Sequence, residues 1–304
     1  LSAFPPARCA AAAFEYKDRE AAMPLKTIDG IEYEVLTPAQ VVVKKALINP
    51  LMNYVLPKSL VLYGINKSRS PLLKESILRP GGWRSMEISY ENGPHVDWVD
   101  MLALKFSTFP MSLRNRRKLV ARVICGLINH YAAAGHVNIL GIGAGTGTNV
   151  MSGMAQSGKK NVSAHLIDLD SDAFEYGQGL CRKYGLHEDA VSFIEGDAVD
   201  IKSHIKVTPQ IVKLVGIIEY LSDDEVRKLL AVSRDALPRG GSILSHSISR
   251  AHGVDRFTRR IFNLNLTYRS DTRVMELMGE AGFGDFRVRH EPLGVYSVIV
   301  GVKK

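Results

Sequence analysis

The sequence predicts an α/β protein with a mostly parallel sheet, a C-terminal antiparallel hairpin and a helical N-terminal segment. Three observations predict it. Beyond Leu113, short apolar runs ending in Gly or Asp alternate with helical patterns, as in βαβ units with right-handed crossovers. The last two apolar runs are separated only by Glu291-Pro-Leu-Gly294, and strands joined so briefly pair antiparallel. Ahead of Leu113 the alternation is missing, and helical periodicity is interrupted at Pro50 and Pro57, where a proline removes a donor and crowds the preceding turn.

Taken in order, residues 1–36 read as a tail with one strand-like piece, Ile31–Val35. Residues 1–22 precede Met23, the first Met, and are expected to lie outside the fold. Thr37-Pro38 opens a helical cap segment over 37–112, with Thr at the N-cap and Pro at the first helical position. Within it, Lys67 to Pro94 is rich in Ser, Gly, Pro and Arg and reads as loops around one short helix, followed by a helix near Trp98–Phe106. The third region, 113–304, starts with a helix to about Ala134. Strands are then expected at Val137–Ile142, Ser163–Ile167, Val191–Ile194, Ile211–Ile218 and Gly241–Ser245, with helices between them. Phe286–His290 and Val295–Val302 form the terminal hairpin.

No apolar run reaches the roughly 20 residues that cross a bilayer. Cys9, Cys125 and Cys181 lie far apart with no Cys/His ligand spacing, so a zinc site is not expected and a reducing, cytoplasmic setting is. The net charge of +8 admits acidic partners. Its clearest run, Arg114-Asn-Arg-Arg-Lys118, leads straight into an apolar helical pattern and reads as a solvated helix start. Aromatics do not interleave with it as a single-strand stacking platform requires.

Three motifs carry chemistry. Ile139-Leu-Gly-Ile-Gly143-Ala144-Gly145-Thr-Gly147 runs from a strand through alternating glycines into a helix, which lets a ligand approach the main chain. Position 148 is Thr, so the dinucleotide pattern G-x-G-x-x-G is not met. Asp168 ends the next strand, where a carboxylate accepts from both ribose hydroxyls at roughly 1.5–3 kcal/mol per charged hydrogen bond. Asp170 is its rival and is expected to cap the following helix instead. Glu195-Gly-Asp197-Ala198 follows the third strand; an acceptor there can take an adenine amine while the neighbouring amide donates to the ring.

In this order and spacing the motifs resemble the class I S-adenosylmethionine (SAM)-dependent methyltransferases, over about residues 113–304. The resemblance implies a Rossmann-like core, with SAM as cofactor and S-adenosyl-L-homocysteine (SAH) as product. It implies cofactor contacts from Gly143, Ala144, Gly145, Gly147, Asp168, Asp197, Ala198 and Glu219. The family usually carries Asp or Glu two residues before the first glycine, whereas this chain has Gly141. Glu219 and Tyr220, after the fourth strand, are expected to line the site, and His246, Glu219 and Tyr220 are the candidate catalytic residues.

The Asn/Asp-Pro-Pro-Tyr/Phe run typical of enzymes that methylate nucleic-acid amines is missing. A small-molecule acceptor with an O, N or C nucleophile is therefore favoured. The alternatives are an RNA or protein methyltransferase, suggested by the charge, and a non-catalytic SAM-binding protein, suggested by Gly141; a nucleotide-dependent oxidoreductase fits poorly. No membrane partner is expected, and the N-terminal helices are a candidate lid or homodimer surface.

Overall fold

Seven strands make the main sheet of the computed structural model, which describes residues 23–204 and 207–304. Residues 1–22, Cys9 included, for which the sequence predicts a tail, lie outside the described residues. The chain enters through a small hairpin, β1 (Leu25–Ile28) and β2 (Ile31–Glu34). A helical cap follows: α1 (Pro38–Val43), α2 (Lys58–Lys67), α3 (Pro71–Leu78), α4 (Trp83–Glu91) and α5 (Trp98–Met101). Three wider, π-type segments, Lys44–Ile48, Leu51–Val55 and Leu102–Phe106, are wound between and after these helices. The long helix α6 (Thr108–Tyr131) then leads into the sheet domain.

The sheet domain runs β3 (Val137–Ile142), α7 (Thr148–Ser157), β4 (Val162–Asp168), α8 (Asp172–Lys183), β5 (Val191–Glu195), α9 (Ile201–His204), β6 (Ile211–Lys213), α10 (Asp223–Ala236), β7 (Ser242–Ile248), α11 (Val254–Phe262), α12 (Asp271–Glu280), β8 (Phe283–His290) and β9 (Tyr296–Lys303). Sheet order is β5-β4-β3-β6-β7-β9-β8. The pairs from β5 to β7 are parallel, and β9 inserts antiparallel between β7 and β8. Order reverses between β3 and β6, so their carboxyl ends open a crevice where ligands bind in such sheets. One core fills the α6/α7 face, with Ile124, Ile128, Ile139 and Met151; another fills the α10/α12 face, with Leu140, Val212, Leu229 and Leu277.

The structure departs from the sequence-based expectation in three places. Residues 25–34 form a two-stranded hairpin, and Ile31 and Tyr33 join the α6 core. The supposed loop region 67–94 holds two helices, because Ser70 accepts from the Leu73 amide ahead of Pro71, and Gly82 leads into a second turn. The basic run is interior to α6, with Arg114, Asn115 and Arg116 buried. Arg114 forks onto both Glu34 oxygens at 2.6 Å. Asn115 exchanges hydrogen bonds with the Glu34 backbone (2.9 and 2.8 Å) and donates to Glu291 of the terminal hairpin at 3.3 Å. The run is thus a joint between the N-terminal hairpin, α6 and the terminal hairpin.

Candidate active site

A cleft of about 300 Å³ lies at the carboxyl ends of β3, β4 and β6, under helix α4 of the cap. Its floor is the loop after β3. Gly147 has φ +75 and begins α7, and a Cβ there would overlap Leu166; only glycine takes that backbone without strain. Gly143, Ala144 and Gly145 line the cleft, while Gly147 lies behind it as the hinge of the turn.

Asp168 holds this loop. One carboxylate oxygen accepts from the Gly145 amide at 2.6 Å, the other from the Asp170 amide at 3.0 Å. Asp170 in turn accepts from the Asp172 amide at 3.3 Å, an Asx-type turn just ahead of α8, whose N-cap is Ser171 and not Asp170. From above, Glu87 of α4 accepts from the hydroxyls of Thr146 and Thr148, both at 2.5 Å. Burial raises its pKa, and the two hydroxyl bonds oppose that. The glycine loop is therefore clamped between a strand carboxylate and a cap carboxylate.

At the other end of the cleft the charges are mixed. Lys213 ends β6, buried, with Nζ 3.4 Å from the Gly143 carbonyl. Burial and the nearby Arg116 lower its pKa to about 8, against the pull of Asp168 and Glu219. Glu219 is buried in the short turn after β6, 3.4 Å from Arg116 and 3.2 Å from His246 Nε2. Burial raises its pKa, but His246 and Arg116 outweigh burial and hold the carboxyl at about 2. Arg269 fixes that turn, donating to the carbonyls of Ile218 and Leu221 at 2.6 Å and to Asp223 at 2.7 Å.

Of the predicted residues, Gly143, Ala144, Gly145, Asp168, Glu219 and Tyr220 are brought together in the cleft wall. The Tyr220 hydroxyl is tucked against Gly81, and burial and Glu219 push its pKa up. His246 is not in the wall: it lies on β7, fully buried behind Glu219 and beside Tyr296. Asp197 and Ala198 follow β5 at the same sheet end, where the Gly196 amide bonds the Asp168 carbonyl, yet they stand outside the cleft wall. Sequence reasoning missed Glu87, Trp83, Arg116 and Lys213. Only Lys213 left a trace, as a charge inside the apolar run Ile211–Ile218.

Several buried polar atoms of the lining lack protein partners: Trp83 Nε1, Asn149 Oδ1 and Arg116 Nε. A polar ligand is the expected partner for such groups. The donor set fits an amino-acid-bearing nucleoside. It offers carboxylates for hydroxyls and an ammonium, two cations for a carboxylate, and a glycine loop for close approach.

A family model described as "Putative methyltransferase" matches residues 109–303. The chain belongs to this methyltransferase family. No curated protein matches the sequence. Among solved structures, the methyltransferase is similar to a possible exported protein from Bordetella parapertussis, with a TM-score of 0.67 at 13% identity, covering 88% of this chain and 99% of that one. It is similar also to magnesium protoporphyrin IX methyltransferase from Synechocystis PCC 6803, solved with bound SAH. There the TM-score is 0.53 at 10% identity, covering 86% and 100%. A third likeness is to an O-methyltransferase family protein from Burkholderia thailandensis, with a TM-score of 0.51 at 15% identity, covering 90% and 75%. At these identities the likeness is one of fold. Among the described residues no helix is long and apolar enough to cross a membrane.

Proposed function

We propose that the cleft holds SAM and that the enzyme passes its methyl group to a small-molecule acceptor, through an O, N or C nucleophile, by in-line displacement. The observation that carries this is the clamped glycine loop facing the buried Arg116–Lys213–Glu219 group across one cleft. Asp168 is assigned the ribose, and Asp197 with Ala198 the adenine end. Arg116 and Lys213 are assigned the cofactor carboxylate and Glu219 its ammonium.

Gly141 is explained by packing. It pairs with Lys213 across β3 and β6, and a Cβ there would stand 2.8 Å from Leu166. An acid at 141 would displace that core side chain. In this reading Glu219 and Glu87 supply the negative charge from other elements.

The bound sulfonium supplies an already activated methyl group, so the protein's task is mainly alignment. Glu219, ionised at neutral pH, is a weak base, and Tyr220 keeps its proton and donates. His246 acts as a positioning residue that holds Glu219 in its ionised form. This wall favours acceptors whose nucleophile needs no strong base. Two solved structures of similar fold, magnesium protoporphyrin IX methyltransferase and an O-methyltransferase family protein, support a small molecule. Burial of Arg114 and Arg116 weakens the case for the Arg114–Lys118 run as a nucleic-acid patch. We further propose a cytoplasmic setting and a homodimer; sedimentation equilibrium tests the latter.

Calorimetric titration with SAM and SAH is the direct test. We expect micromolar binding, weakened at least tenfold (~1.4 kcal/mol) in Asp168→Ala and Glu219→Gln. Folded wild-type protein that ignores millimolar SAM and SAH would refute the assignment.

A further inference from the structure

The cap is hollow. A second cavity, of about 990 Å³ and partly open to solvent, lies between α2, α3, α11 and the π-type segments. That is the upper end of the range for small-molecule sites. Its walls are mostly apolar, with Met52, Ile65, Leu73, Ala103, Phe257 and Phe262 among them, and Lys44, Lys67, Arg69 and Asp97 also line it.

The polar side chains in the wall are mostly turned away. Ser68 bonds Asp97, Ser85 bonds the Gly82 carbonyl, Ser89 the Ser85 carbonyl, and Thr258 the Val254 carbonyl. Lys44 differs. Its ammonium donates to the Phe106 carbonyl and to Thr108 Oγ1, both neutral, and no carboxylate pairs with it among the described residues. Burial lowers its pKa to about 8. Lys44 is only part-buried; a cation there without a counter-charge bears part of the cost of lost solvation, and a ligand anion relieves it.

This chamber adjoins the cleft. Gly81 and Met86 line both cavities, and the Tyr220 hydroxyl stands against Gly81 in the partition. Helix α6 measures the separation. Thr108, beside Lys44, and Arg116, in the cleft, are eight residues apart, about 12 Å along the helix axis.

We propose that the chamber binds the methyl acceptor, and that this acceptor is a largely apolar molecule with one anionic group. The anion meets Lys44, the apolar body fills the chamber, and the reactive end reaches the cleft past Gly81. The word acceptor rests on the methyltransferase function proposed above; the chamber and its ligand chemistry do not.

The test uses the full chain and a fluorescent C18 polyene carboxylate, with its uncharged methyl ester as the comparison probe. SAH affinity is measured on the same samples. The wild type is expected to bind the acid at micromolar concentration and more tightly than the ester. Ala103→Trp, which fills the chamber, is expected to weaken both probes about tenfold or more while SAH binding is kept. Lys44→Met is expected to erase the preference for acid over ester. A photoreactive C16 carboxylate should label chamber-lining segments around Ala103 and Phe257, a readout that does not depend on any variant folding.

Failure of the wild type to bind either probe, or labelling elsewhere on the surface, overturns the proposal. Equal probe affinity in Ala103→Trp and wild type does the same. An unchanged acid preference in Lys44→Met overturns the anionic part. Probe binding without SAH binding would sink the methyltransferase function and leave the chamber, while SAH binding without probe binding would do the reverse.

Discussion

The sheet domain and the helical cap solve the problem of an interior in opposite ways. The sheet domain closes its core: every residue of β7 is buried, and Ile124, Leu140, Leu244 and Leu277 have no accessible surface. Glu219 there lies between Arg116 and His246, although buried Lys213 reaches only the Gly143 carbonyl. The cap leaves its centre open, winds three π-type segments, and keeps most of the large apolar side chains found exposed, such as Leu47, Tyr54, Tyr63 and Trp98. A closed core fixes the geometry of a cofactor site. An open one leaves room for a second ligand, and part of its stability is expected to arrive with that ligand.

The largest expected effect tests the joint that carries the two regions. Arg114→Ala leaves Glu34 buried without its cation. Breaking a buried pair in this way costs about 3–5 kcal/mol. Urea denaturation should show the loss with an unchanged slope. A loss below about 1 kcal/mol, the range of surface pairs, would mean that the joint is solvated.

Next in size is the acid response of the cleft. The Glu219 carboxyl titrates at about 2 in the folded protein against an ordinary value of 4.5. A lowered pKa stabilises the fold fully above the unfolded value, and that contribution fades as pH falls from about 4.5 toward 2. The interval corresponds to about 3 kcal/mol. Glu219→Gln should flatten this part of the stability-versus-pH curve. Matching wild-type and variant curves would show that His246 and Arg116 do not hold the carboxylate.

A direct contrast of the two interiors comes from paired truncations. Leu140→Ala removes a side chain from the closed core, and Leu73→Ala removes one facing the chamber. Leu→Ala costs spread over about 2–5 kcal/mol according to the cavity left behind. Leu140 is expected near the top of that range and Leu73 near the bottom, because its neighbourhood is already open. Equal losses would mean that the cap is as tightly packed as the sheet.

The same contrast decides what the sequence could reveal. Strands β3 to β7 are legible as short, mostly apolar runs, of which Val137–Ile142 is the clearest, although the run Ile211–Ile218 is a strand only as far as Lys213. Strand β1 is not legible, since Leu25, Lys26 and Thr27 are exposed and carry no pattern. Helices α3 and α4 are disguised by a loop-like composition in which Ser70 and Gly82 in fact start helices. In the site, the glycine loop and Asp168 are local signals on consecutive strands. Arg114, Arg116 and Asn115 instead depend on Glu34, Glu219 and Glu291, which lie 80, 103 and 176 residues away. No local pattern encodes a pairing at that range, so a buried joint looks like a surface patch.

The smallest effect probes whether cap and sheet unfold together. Two helices carry the same N-terminal device. In α1, Thr37 accepts from the Gln40 amide at 3.2 Å while Gln40 accepts from the Thr37 amide at 2.8 Å. In α10, Ser222 and Glu225 repeat the exchange at 3.4 and 2.7 Å. Helix α1 buries none of its residues, whereas α10 buries Val226, Leu229 and Leu230. Losing such a cap costs about 1 kcal/mol wherever the helix is part of the cooperative unit. Ser222→Ala should therefore lower global stability by about that amount. Thr37→Ala should leave it within about 0.5 kcal/mol and instead speed amide exchange in Val41 to Val43, since a helix without buried contacts opens on its own. If both substitutions lower global stability equally, the cap is locked to the sheet, and its open interior is a fixed feature of the fold and not a region that tightens on its ligand.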